Sequence, residues 1–293
     1  MIPDLPVDRL KKSRIDRGGY GYFPPRIDRA VKSQVKTGLP SSLTYWMLVL
    51  LVSSFMLLAL RMATTSALSS SASASVGRCT TGPAALIFLH GLGDSPAGWS
   101  NLEQSLPAIK PRLRNVKYIF PPAPTISLTI NDGMSMPGWF DIFDWPIGIS
   151  ARDDKKGILA AVAQMDAVVE TLEKEGIDKS RIVIGGFSQG GAIALLSAYR
   201  TSLPFAACVS LSGWLTLKDD LDIPEATKQT PLFWGHGKYD DKVLFEQQAH
   251  GVDRLQQQGV TVQSKVYLVG HSSDEQEMED LAIFLDRVIY GDE

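Results

Sequence analysis

Residues 182–196 read IVIGGFSQGGAIALL: a β-branched run, then Gly186-Phe187-Ser188-Gln189-Gly190, then small and aliphatic residues. A strand that turns sharply around a serine into a helix is the setting of a nucleophile elbow. Small residues on both sides of Ser188 let the chain turn tightly and aim Oγ out of the sheet, while N–H groups at the helix start point at the reacting oxygen. Such a turn needs a buried strand before it and a closely packed helix after it.

From Pro83 onward the chain repeats that setting. AALIFLHG, VKYIFP, RIVIGGF, FAACVSLSG, PLFWGHG and SKVYLVG are short apolar runs, and helical patterns separate several of them, at residues 153–175, QGGAIALLSAYR, 241–258 and 274–289. Buried strands alternating with helices predict the α/β class, with a mainly parallel sheet covered on both faces. With 44% hydrophobic and 21% charged residues among 293, there is ample apolar surface for this core, and a disordered polar chain is excluded.

A serine hydroxyl needs a base, and elbow folds carry their triad in the chain order Ser, Asp or Glu, His. Of the four histidines, His90 precedes Ser188, His250 lies in a helical run, and His236 comes too early for a loop acid to intervene. His271, at the end of SKVYLVG, is the predicted base. The acid is expected in the loop after the preceding strand, where PLFWGHGKYDD offers Asp240 and Asp241 without choosing between them. The early loop His90-Gly91-Leu92-Gly93 lets a substrate oxygen approach the backbone, so the N–H groups of Leu92 and Gln189 are the expected oxyanion donors. His90 reads as a loop-fixing hydrogen bonder, and His236-Gly237 as a strand exit.

Between Pro121 and Arg152 the alternation stops. Trp139, Phe140, Phe143, Trp145, Ile147 and Ile149 are too apolar for a solvated loop, and with Leu92 they form the expected acyl-binding groove. Each acyl CH₂ buried there is worth about 0.8 kcal/mol, which favours long chains. The competing expectation is that these side chains fill the core beneath a structural loop. No metal-ligand spacing or dinucleotide motif accompanies the site, so neither a metal nor a cofactor is expected. Cys79 and Cys208 read as unpaired thiols. A net charge of -3 shows no basic excess, and nucleic acid is not an expected partner.

Residues 1–42 carry nine Lys/Arg against four Asp, or +5, and read as a basic tail. Residues 43–60, LTYWMLVLLVSSFMLLAL, hold no charge, Gly or Pro, and as a helix would span roughly 27 Å, close to a bilayer's hydrocarbon thickness. The expectation is one transmembrane helix preceding the α/β domain. The excess of basic residues before it predicts a single-pass type II membrane location. A start at Met62 would remove that run and leave a cytoplasmic protein. Residues 61–82 are Ser/Ala-rich and read as a linker, with the folded domain at 83–293.

LIFLHGLGDSPAGW, MPGWFDI, RIVIGGFSQGGAIAL, SGWL, HGKYD and GHSSDEQEM, in that order, resemble the acyl-protein thioesterase and lysophospholipase branch of the carboxylesterases. The resemblance spans about Ala84 to Tyr290. It implies a single α/β-hydrolase domain that removes palmitoyl and similar acyl groups from cysteine thioesters of proteins, with side activity on lysophospholipids and small esters. It also aligns the catalytic aspartate with Asp240 and the catalytic histidine with His271. The chain departs from the family's HGDxDPxVP pattern at Lys238 and Asp241, and DWPIGIS after Phe143 differs from the usual Ser/Asp-rich stretch. The expected substrates are therefore S-acylated proteins or lipid esters. The rival expectations are a general carboxylesterase or lysophospholipase and a non-catalytic ligand receptor on the same fold.

Overall fold

The computed structural model describes residues 81–292. They all belong to one of the two units into which the chain divides, Ser73–Glu293. Six strands form the main sheet: β1 (Ala84–Leu89), β2 (Val116–Ile119), β5 (Ile182–Phe187), β6 (Ala207–Leu211), β7 (Leu232–Gly237) and β8 (Val262–Tyr267). Their order is β2-β1-β5-β6-β7-β8, and every pair is parallel. Two short strands, β3 (Thr125–Leu128) and β4 (Met134–Pro137), make a separate antiparallel hairpin. The helices are α1 (Leu102–Ile109), α2 (Lys155–Lys174), α3 (Gln189–Arg200), α4 (Glu246–Gln257) and α5 (Glu275–Tyr290).

The strands read as unbroken apolar runs because both faces are covered. Along β1, Ala85, Ile87 and Leu89 face one core with α2, α3 and α4, while Ala84, Leu86 and Phe88 face the other with α1 and α5. Cys208 lies in β6 with no exposed surface and no disulfide. Two helices start on side-chain caps: Asp154 accepts from the Gly157 N–H at 3.0 Å, and Asp274 from the Glu277 N–H at 2.8 Å.

The α/β expectation agrees with this sheet, whereas the membrane expectation is corrected. No helix among the described residues is long and apolar enough to cross a membrane. The longest, α2, carries Lys155, Lys156, Asp166, Glu170, Glu173 and Lys174, and presents only one face to the core. The run at 43–60, like the tail at 1–42 and the linker up to residue 80, lies outside the described residues, as does Cys79. The 241–258 helical pattern is shorter than expected: α4 begins at Glu246, because the chain before it is held extended by a parallel bridge, with the Ile147 N–H donating to the Lys242 carbonyl at 2.8 Å and the Leu244 N–H to the Ile147 carbonyl at 3.0 Å.

Candidate active site

Ser188 stands between β5 and α3 with φ 55° and ψ −120°, a conformation non-glycine residues rarely adopt. Its N–H donates to the Leu211 carbonyl at 2.9 Å and its carbonyl accepts from Ala192 at 3.0 Å, which ties the turn to β6 and to the first turn of α3. The flanking glycines are required by closeness rather than by φ. A Cβ on Gly186 would lie 2.4 Å from the Gly190 carbonyl carbon, and one on Gly190 would lie 2.2 Å from the Leu89 carbonyl oxygen. The helix thus starts directly against the strand ends, and the serine is left at their tip.

His271 follows the end of β8. Its Nε2 lies 3.0 Å from Ser188 Oγ, and its Nδ1 lies 2.7 Å from Asp240 Oδ2. Asp240 Oδ1 accepts from the N–H groups of Lys242 and Val243, both at 2.9 Å. Burial alone raises the Asp240 pKa, but hydrogen bonds from His236 and His271, the His271 charge and the Lys242 N–H outweigh it and hold the carboxyl well below the usual range. Asp241, the alternative acid, is exposed and reaches Lys242 instead, at 3.1 Å. His236, expected as a strand exit, also touches the acid. It has no exposed surface, and its Nε2 lies 2.9 Å from the Val243 carbonyl and 3.3 Å from Asp240 Oδ2. The signal for that contact was the four-residue spacing across the β7 exit, His236 to Asp240.

The opposite side of Ser188 is backbone. A Cβ on Gly91 would meet the Ser188 Cβ at 3.3 Å, so the loop after β1 runs directly past the serine. Among the described residues, the Leu92 and Gln189 N–H groups have no hydrogen-bond acceptor. The Gln189 side chain is buried and bonds across the fold, accepting from the Trp139 N–H at 3.0 Å and donating to the Phe140 carbonyl at 2.8 Å. Those partners are about fifty residues away along the chain, so nothing local announces them. His90 accepts from the Ala123 N–H through Nε2 at 3.2 Å, which leaves Nδ1 to donate to the Gly91 carbonyl at 2.8 Å. The Trp139 indole donates to the His90 carbonyl at 2.8 Å.

The six side chains expected to bind an acyl group divide into two sets. Trp139, Phe140 and Ile147 are buried in the core, with Phe140 edge-on to Trp214 at 5.7 Å between centroids. Phe143 is partly buried beneath the Arg152 guanidinium, while Trp145 and Ile149 are exposed. For the first set the core-filling expectation describes the packing.

The sequence matches the Phospholipase/Carboxylesterase family over residues 79–289. The chain belongs to that family. Among curated relatives of this phospholipase/carboxylesterase chain, acyl-protein thioesterase 1 of Cryptococcus neoformans is 40% identical over 219 residues, which is 69% of this chain and 91% of the relative. The solved structure of Arabidopsis thaliana SOBER1 is 30% identical, with a TM-score of 0.67 over 71% of this chain and 100% of that one. That of Zea mays acyl-protein thioesterase 2 is 31% identical, with a TM-score of 0.61 over 71% and 95%. The likeness gives the membrane location no support.

Proposed function

We propose that this member of the family hydrolyses long-chain acyl thioesters of proteins, and related lipid esters, through an acyl-enzyme on Ser188. The observation that carries this reading is the unbroken hydrogen-bonded chain from Ser188 Oγ through both nitrogens of His271 to Asp240. His271 Nε2 takes the Ser188 proton as Oγ attacks the acyl carbon. The carbonyl oxygen, now negative, moves into reach of the unpartnered N–H groups of Leu92 and Gln189. As the intermediate collapses, the bond from carbon to the leaving sulfur breaks, and His271 returns the proton to that sulfur. A water, deprotonated by the same nitrogen, then releases the acid and restores Ser188. Asp240 holds the Nδ1–H tautomer and stabilises the imidazolium at each step. The curated relatives named acyl-protein thioesterase support the choice of thioester. We assign residues 83–293 to this single hydrolase domain.

A general carboxylesterase is the second reading, and the burial of Trp139, Phe140 and Ile147 favours it by shortening the apolar surface open to an acyl chain. Labelling by a fluorophosphonate probe, with and without a competing palmitoyl-thioester peptide, tests the proposal. Labelling that depends on Ser188 and is blocked by the thioester supports it, and labelling indifferent to the peptide favours the carboxylesterase. No labelling would overturn both.

A further inference from the structure

A groove of about 750 Å³ runs between α1 and the start of α5. Its floor is apolar, with Leu102 and Ile109 from one face of α1 and Met278 from α5. Its rim is acidic: Asp274, Glu275 and Glu279 line it, and no Lys or Arg does. Among the described residues none of these three carboxylates forms an ion pair, although nine other acidic residues pair with Lys or Arg. Glu275, Met278 and Glu279 are three and four residues apart, so charge and apolar surface share one helix face.

The groove starts beside the base. Ser273, two residues after His271, lines it together with Trp99. The Trp99 ring lies 5.2 Å from Phe187, which lies 4.8 Å from His271. The direction follows from the chemistry. His271 must hand its proton to the leaving sulfur, so the polypeptide bearing that sulfur leaves Ser188 on the His271 side, the side on which Ser273 lines the groove.

We infer that the groove receives the polypeptide flanking the acylated cysteine, and that it selects stretches carrying Lys or Arg next to an apolar residue. This rests on the thioesterase reading above. The apolar residue covers the floor formed by Leu102, Ile109 and Met278, while the cationic heads reach the unpaired rim. Its size falls within the range of ordinary ligand sites. Rim ion pairs act mainly on selectivity and encounter, so the preference is moderate and weakens with salt.

The test uses two S-octanoyl-cysteine peptides of equal length, one with two Lys beside the cysteine and the other with two Glu, on the full chain. The ratio of their kcat/KM values is measured at low and high salt, in wild type and in Glu275→Lys/Glu279→Lys, with circular dichroism reporting the fold. The Lys peptide is expected to be preferred by about three- to tenfold. That ratio should shrink in high salt and fall to one or below in the double variant; a Glu275→Gln/Glu279→Gln protein should lie between the two. Equal rates for the two peptides in wild type, or a Lys preference that survives charge reversal, would overturn the groove and leave the thioesterase reading intact. If neither peptide is cleaved while p-nitrophenyl butyrate is, the thioesterase reading fails and takes the groove with it.

Discussion

Ser188 holds a positive φ without being glycine, at an energy of about 1–3 kcal/mol that the surrounding hydrogen bonds must overcome. Two substitutions separate this strain from the chemistry. Ser188→Ala should lower kcat by roughly 10⁴ to 10⁶ with the strain kept. Ser188→Gly should be as inactive but more stable than the alanine variant by about 1 kcal/mol, read from urea midpoints. Coincident midpoints would mean the turn is unstrained. The acid can be tested in the same way. Asp240→Asn is expected to remove most activity and Asp241→Asn little, since only Asp240 reaches His271; a reversed order in kcat would move the acid by one position. Because the folded pKa of Asp240 lies below its unfolded value, its ionisation contributes stability in full above about pH 4 and loses it as pH falls below that. The stability gap between wild type and Asp240→Asn should therefore narrow as pH falls from about 7 to about 3.

Helix α5 carries a group that the chemistry leaves idle. Glu277 is 1% exposed, its Oε1 has no hydrogen-bond partner, and that oxygen occupies the space where a Cβ on Gly235 would lie. Burial, followed by the neighbouring carboxylates of Asp274 and Asp280, raises its pKa from 4.5 to about 8. A carboxyl with a raised folded pKa favours the fold while protonated, so its contribution is lost as pH rises from about 4.5 through about 8. Glu277→Gln should therefore raise Tm at about pH 9 and change it little near pH 4, and an equal shift at both would refute the assignment. Elements with a strong local signal were readable in advance: the parallel strands from their apolar runs, α5 from Asp274, and the placement of Ser188 at a strand-to-helix turn and of His271 after the last strand. Helix α1 was not, because it is eight residues long and contains Pro107, so its pattern is too short to declare a period. The hairpin of β3 and β4 was missed for a similar reason, its strands being four residues each with little burial. The split among Trp139, Phe140, Phe143, Trp145, Ile147 and Ile149 depends on tertiary packing, which composition does not encode. Phe140→Ala should consequently destabilise by about 3–5 kcal/mol in urea, whereas Phe143→Ser should affect chain-length preference among C2 to C16 esters more than the midpoint. A flat length profile in both wild type and Phe143→Ser would remove the acyl groove.

At the scale of the whole molecule, one sheet joins every part of the site. Ser188 leaves β5, Asp240 follows β7, His271 follows β8, and Leu92 follows β1, so movement of any strand end misaligns the others. A chain beginning at Ser73 is expected to unfold in a single transition, with Ser188-dependent turnover lost along the same curve; separate curves would mean the site loosens before the sheet. The sheet also carries a means of timing its own opening. Burial drives the Cys208 thiol far above its ordinary pKa, and its place in β6 keeps it two strands from the β8 edge and three from the β2 edge. Local fraying at an edge or a helix end leaves it untouched, so a thiol reagent modifies it only when the whole layer comes apart. Counting modified Cys208 over hours, in a Cys79→Ser background, would turn a single sulfur atom into a clock for the rarest excursion the folded chain makes.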